Sequence, residues 1–144
     1  MIILLIDDEE SDCKLASRIL THEGHSILEA RSAEEALVLL GRTQSGSRPQ
    51  VILTDLVLPD MDGLALTRRL KADPATASIP VAAMSSHLAT FPPDDLDGAG
   101  FSLILTKPVS GRTLPRQIAA LDTLDTLDAP KESERAEGKT PPAP

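Results

Sequence analysis

Apolar and polar positions along the chain predict five strands alternating with helical segments. Ile2 to Ile6 form an unbroken apolar run of strand length. Asp7-Asp8-Glu9-Glu10 follow at once, and acids at the amino end of a helix are favoured by its dipole. The helix they introduce carries Leu15, Ala16, Ile19 and Leu20 on one face and stops at Gly24. Ser26 to Ala30 predict a short second strand. Ser32 with Glu35 has the capping-box pattern, and Ala36, Leu37 and Leu40 line a second helix up to Gly41. Arg42 to Pro49 is polar and rich in Gly and Ser, which predicts a surface loop.

Val51 to Thr54 predict a buried strand with Asp55 at its carboxyl end, after which Pro59 and Gly63 turn the chain into a helix. That helix spans Gly63 to Ala72, with Leu66 and Leu70 four apart and Asp73-Pro74 as its stop. Pro80 to Met84 predict a fourth strand opening into Ser85-Ser86-His87. Pro92-Pro93 confines helix in the next segment to Asp94 to Ala99. Leu103 to Leu105 predict a fifth strand, closed by Thr106-Lys107-Pro108. A last helix runs from Thr113 to Leu127, with Leu114, Ile118, Leu121 and Asp125 roughly a turn apart. Pro115 fits its first turn if the helix begins near Thr113; a start at Ser110 would leave a kink. The remainder is Pro, Ala, Glu, Lys, Ser and Gly without apolar periodicity, so the expected organisation is one domain over 1–127 and a disordered tail over 128–144.

Strands alternating with helices predict an α/β fold in which a parallel sheet is covered on both faces. The right-handed crossover rule leaves a doubly wound five-stranded sheet in the order 2-1-3-4-5 as the natural topology. Ligands bind such sheets where the order reverses, at the carboxyl ends of strands one and three. Asp7, Asp8 and Asp55 should converge there.

Composition narrows the functional classes. The chain has 144 residues, enough for one ordinary domain. Its net charge of -8 argues against nucleic acid and anionic lipid as partners. Phe91 and Phe101 are the only aromatic residues, so the core must be aliphatic. Cys13 is the only cysteine, cannot form an internal disulfide, and sits at helical spacing as a structural residue in a reducing compartment. The apolar start at Ile2 lacks a basic leader and is too short to span a bilayer, so a cytoplasmic location without membrane attachment is the expectation.

Three carboxylates in one crevice repel each other unless a cation neutralises them, and an all-oxygen set suits Mg²⁺. Asp7, Asp8 and Asp55, with the backbone carbonyl of Val57, are its expected ligands. Asp7-Asp8 taken alone reads as helix capping, Ser85 as a turn residue and Lys107 as a solvated loop residue. Their weight comes from all falling at carboxyl ends of strands in one sheet. A carboxylate can attack phosphorus and form an acyl phosphate, and phosphoryl transfer needs little beyond alignment and charge neutralisation. Asp55 is therefore the candidate phosphoryl acceptor, Lys107 the charge partner of Asp55 or of a phosphoryl oxygen, and Ser85 a hydroxyl for the same oxygens. Drawing Ser85 inward would shift the loop after the fourth strand and make a switch.

At these residues the sequence resembles the receiver domain of two-component response regulators. The matching stretches are Ile3-Leu-Leu-Ile-Asp-Asp-Glu9, Ile52-Leu-Thr-Asp-Leu-Val-Leu-Pro-Asp-Met-Asp-Gly63, Met84-Ser-Ser86 and Leu105-Thr-Lys-Pro108. Ser85 lies 30 positions and Lys107 52 positions after Asp55, the usual spacings of that family. The resemblance covers Met1 to Leu127. It implies that Asp55 is the phosphoacceptor, Asp7 and Asp8 the Mg²⁺-binding pair, Ser85 the switch hydroxyl and Lys107 the phosphate-contacting lysine. It further implies a histidine kinase or histidine phosphotransfer protein as donor, a downstream protein partner, and a cis Lys107-Pro108 peptide. Such a domain is a signalling module and not an enzyme, except that it can catalyse its own phosphoryl transfer and dephosphorylation. Val57 and His87 occupy positions that tune dephosphorylation in the family.

Two departures concern output. Receivers usually carry Tyr or Phe two residues before Thr106, where this chain has Ile104; Pro92-Pro93 compromises the fourth helix and the fifth contains Pro115, in elements that commonly form the output surface. After Leu127 too few residues remain for an output domain, so the expectation is a stand-alone receiver, or one cut from a hybrid kinase. Competing readings are a degenerate receiver acting as an interaction module, a Mg²⁺-dependent aspartyl-nucleophile phosphohydrolase, and a nucleotide or flavin binder. The hydrolase lacks its second acid because Val57 stands there, and the binder would need a Gly-rich turn where Asp7 to Glu10 repel phosphate.

Overall fold

The computed structural model describes residues 1–42, 48–86 and 88–127, with side chains described as far as residue 121. Most of the predicted polar loop, His87 and the predicted tail over 128–144 lie outside the described residues. In chain order the elements are β1 (Ile2–Ile6), α1 (Glu10–His22), β2 (Ser26–Ala30), α2 (Ala33–Arg42), β3 (Val51–Asp55), α3 (Gly63–Ala72), β4 (Val81–Ser85), a 3-10 turn (Leu88–Thr90), α4 (Pro93–Gly98), β5 (Leu103–Thr106) and α5 (Leu114–Leu127). The strands form one parallel sheet in the order β2-β1-β3-β4-β5, as the alternation of elements predicts.

The sheet divides the core by the two-residue period of its strands. Ile3 and Leu5 of β1, with Val51 and Leu53 of β3, face α1 and α5 and pack on Cys13, Ala16, Leu20, Leu114 and Ile118. Leu4, Ile6 and Ile52 point the other way, onto Ala33, Ala36 and Leu40 of α2 and Leu66 and Leu70 of α3. Both faces of β1 and β3 are thus consumed by packing, which is why β1 is an unbroken apolar run and β3 opens with Val51, Ile52 and Leu53 before the buried Thr54. A carboxylate closes each strand, Asp7 just after β1 and Asp55 at the end of β3.

Several local details differ from the expectation. Leu15 is not on the buried stripe of α1; it is 38% exposed, while Cys13, Ala16 and Leu20 face the sheet. At about 100° per residue, the residue before Ala16 is carried around to the solvent side. β4 begins at Val81, one residue after Pro80, because proline has no N–H for the ladder; its carbonyl still accepts from Ile52 N at 3.0 Å. Pro93 is the first residue of α4, where its fixed φ suits a helix start. Pro115 lies in the first turn of α5. Gly24, at φ +93°, lets the chain leave α1 with Gly24 N bonded to Thr21 O at 2.9 Å.

The start of α2 is secured from a distance. Ser32 Oγ accepts from Glu35 N at 3.0 Å, as the capping-box pattern predicts, but the Glu35 carboxylate accepts from Arg31 N at 2.8 Å. The remaining free amides are taken by Asp60, which follows β3: Ala33 N donates to Oδ1 at 3.0 Å and Glu34 N to Oδ2 at 2.8 Å. These bonds to the charged form, first that from Ala33 and then that from Glu34, hold the Asp60 carboxyl below its ordinary value of 3.8. Its stabilising contribution is therefore complete above pH 3.8 and is lost as the pH falls through the lowered folded value. Asp60→Ala is expected to lower the thermal unfolding midpoint at pH 6, and the gap from the wild type should close on acidification below 3.8. A gap independent of pH would show that the cap does not act through its charge.

Candidate functional site

The carboxyl ends of β1 and β3 bring Asp7, Asp8 and Asp55 together, with one carboxylate oxygen from each lying within 4.8 Å of the others. Asp7 is fully buried, Asp55 nearly so, and Asp8 exposed. Asp7 Oδ1 accepts from Glu9 N at 2.9 Å, which fixes the turn into α1. Asp55 Oδ1 accepts from Val57 N at 3.2 Å, which turns the chain out of β3. Each carboxylate is thus oriented by the loop that follows its strand.

Lys107 enters from the end of β5. Its ammonium lies 2.9 Å from each of three oxygens: Asp7 Oδ2, Asp12 Oδ2 and Asp55 Oδ2. Burial alone would push this ammonium down, but its bonds to Asp12, Asp55 and Asp7 outweigh that and hold it above its ordinary value. Asp7 is displaced upward, because burial penalises its charge by more than Lys107 and the Glu9 amide relieve. The backbone fixes the cation as well: Lys107 N donates to Ser85 O at 3.0 Å, and the Lys107-Pro108 peptide is cis.

Asp12, Asp55 and Lys107 line an open cleft of about 390 Å³ with Asp8, Glu9, Ser11, Val57 and Ser86. Val57 is 45% exposed at its mouth. Ser85 ends β4, in register with Thr106 of β5, and is buried, so Ser86 supplies the cleft wall at that point. Sequence reasoning missed Asp12 and Ser86. Asp12 carried a signal, since it precedes Ala16 by four residues and so shares the inward stripe of α1. Cys13, beside it, is buried, and burial first and Glu29 second push its thiol up to about 11, which suits a packing residue.

The same loop contains a close backbone approach. Gly63 N donates to Leu56 O at 2.8 Å, and a Cβ at Gly63 would fall 2.5 Å from the carbonyl oxygen of Asp55. Glycine is thus required by space.

A family model described as the response regulator receiver domain matches residues 3–119. The chain is 33% identical over 121 residues to Response regulator PleD of Caulobacter vibrioides, covering 83% of this chain and 25% of that protein. It is 31% identical over 121 residues to Protein PilH of Pseudomonas aeruginosa, covering 83% of this chain and 95% of that protein. The chain therefore spans a quarter of one curated relative and nearly all of another. A CheY-like response regulator receiver domain protein from Methanospirillum hungatei has a similar fold, with a TM-score of 0.77 at 21% identity over 89% of this chain and 98% of that one. So does the receiver domain of sensor histidine kinase PA1611 from Pseudomonas aeruginosa, whose structure has a magnesium ion coordinated in the active site cleft; the TM-score is 0.75 at 23% identity, over 85% of this chain and 97% of that one.

Two stability measurements follow from this geometry. Lys107→Ala strands the buried Asp7 carboxylate and should cost about 3 kcal/mol of unfolding free energy in metal-free buffer. Adding Asp7→Asn should recover most of that loss; additive losses in the double variant would show that the ammonium does not compensate Asp7. Gly63→Ala should cost about 1–3 kcal/mol by pressing on the backbone of Asp55 and Leu56. An unchanged midpoint would show that the loop yields freely.

Proposed function

The chain belongs to the response regulator receiver domain family, and on that footing we propose that Asp55 is its phosphoacceptor, served by Asp7, Asp8, Lys107 and Ser85. Membership carries a phosphoacceptor signalling role; the assignment to these residues is our reading. The observation that supports it best is the Asp7–Asp8–Asp55 oxygen cluster, two of whose members share one buried ammonium. A cleft with this charge pattern favours an anionic group bound jointly with a cation.

The donors present fit Mg²⁺, because carboxylate oxygens that close to one another form a hard, all-oxygen set. The magnesium ion in the PA1611 receiver supports the same choice. Asp7, Asp8, Asp55 and the Val57 backbone carbonyl would hold it. When bound, Mg²⁺ neutralises phosphoryl oxygens and helps align the donor.

The donor in this reading is a phosphohistidine, on a histidine kinase or a histidine phosphotransfer protein. An Asp55 carboxylate oxygen forms the new O–P bond as the P–N bond breaks, and the electron pair leaves on the imidazole nitrogen. Lys107 then donates to a phosphoryl oxygen, which stabilises the charge carried by the transferred group. Ser85 donates its hydroxyl to another, drawing the end of β4 toward the cleft. Output to a downstream protein follows from that shift. Ile104 is half-buried against Leu56, Leu64, Ala83 and Ala99, so the relay across β5 runs through an aliphatic side chain. Among the described residues no helix is long and apolar enough to cross a membrane.

Incubation with Mg²⁺ and acetyl phosphate should give a base-labile phosphoryl adduct by intact mass. It should be absent from Asp55→Asn and after chelation of the metal. Failure to form the adduct with both acetyl phosphate and a phosphorylated histidine kinase would leave the chain a protein-interaction module. Steady release of inorganic phosphate from many external phosphate esters would instead make it a phosphohydrolase.

A further inference from the structure

An ammonium has three N–H donors, and Lys107 engages all three, at 2.9 Å, with Asp7, Asp12 and Asp55. A phosphoryl oxygen can therefore reach Lys107 only if one of these acceptors withdraws. The three are not equally able to do so. Asp7 and Asp55 belong to the acid set that would hold Mg²⁺, and their side chains, with no solvent exposure and 9%, are kept in the site by the Glu9 and Val57 amides. The Asp12 side chain is 36% exposed. It stands in the first turn of α1, on the rim of the cleft, and water can solvate it after a side-chain rotation that leaves the helix in place.

We propose that Asp12 is a displaceable latch on Lys107: it occupies the third donor of the resting ammonium and yields that donor to the phosphoryl group. Asp12 is then a positioning residue that opposes the phosphorylated state. The inference rests on the phosphoacceptor reading of Asp55. Its sign is the reverse of what a simple tether would give. A tether that merely held Lys107 over Asp55 would favour the phosphorylated state, and its removal would weaken that state.

Fluoroberyllate, a reversible mimic of a phosphoryl group on aspartate, tests the sign directly at saturating Mg²⁺, read by the amide NMR shifts of Val57 and Ser86. Asp12→Asn keeps the shape and removes the charge, and should lower the half-saturating concentration by about twofold to fivefold, the range an exposed ion pair is worth. The decrease should persist from about 0.1 M to about 1 M salt, where the Debye length falls from roughly 10 to 3 Å, because the contact it removes is direct. Asp12→Glu, which keeps the charge, should bind as the wild type does. A half-saturation point that is unchanged or raised in Asp12→Asn would overturn the latch, as would a decrease that vanishes at high salt. Wild-type protein that binds no fluoroberyllate, like Asp55→Asn, would overturn the phosphoacceptor reading and the latch with it.

Discussion

One ammonium shared among three carboxylates is the interaction on which the acidic end of this sheet depends. β1 and β3 are packed on both faces and must end somewhere, and the acids that end them cannot all be solvated. Asp7 has no contact with water, so an uncompensated charge there would cost several kcal/mol. Lys107 offsets part of that cost, and its own burial is tolerable because every donor it has is matched. The arrangement is long-range by construction. Lys107 follows Asp7 by 100 positions, so the ammonium reaches these acids only after all five strands are in order. Chemistry at this end of the sheet is thereby coupled to completion of the fold.

Much of this was legible in the sequence, for reasons that can be named. Apolar runs of strand length ending in an acid or a lysine report both the strand and the direction of its carboxyl end, which located Asp7, Asp55 and Lys107 together. Parallel topology then did the rest, since it collects carboxyl ends on one side. Three features were missed because their signal was faint or already had another explanation. Asp12 lies inside a helix, where an acid near the amino end already has an explanation in the helix dipole. Ser86 differs from Ser85 only by which side of the chain it faces, Ser85 being buried and Ser86 on the cleft wall. The Asp60 cap joins residues 26 and 27 positions apart, so no local motif announces it. Leu15 shows the limit of spacing alone: an apolar residue can satisfy the helical period and still be turned outward by where the helix begins.

The surroundings of the site are unevenly stiff. On one side β3 hands over to a loop whose backbone is pressed against Gly63, and whose following helix is capped by Asp62 Oδ1 on Ala65 N at 2.7 Å. On the other side β4 leads toward α4, a six-residue helix with no buried residue. The core that meets it contains Leu56, Leu64, Ala83 and Ala99, with Leu96 of α4 only half-buried against them.

The Asp60 cap gives this unevenness a mechanical meaning. Through its two carboxylate oxygens the loop after β3 is bonded directly to the amino end of α2. A force generated at the carboxyl end of β3 then meets a fixed abutment on the α2 side and a lightly seated element on the α4 side. The cap thereby gives the surroundings of the cleft a braced side toward α2, opposite the lightly seated α4 that leads to β5.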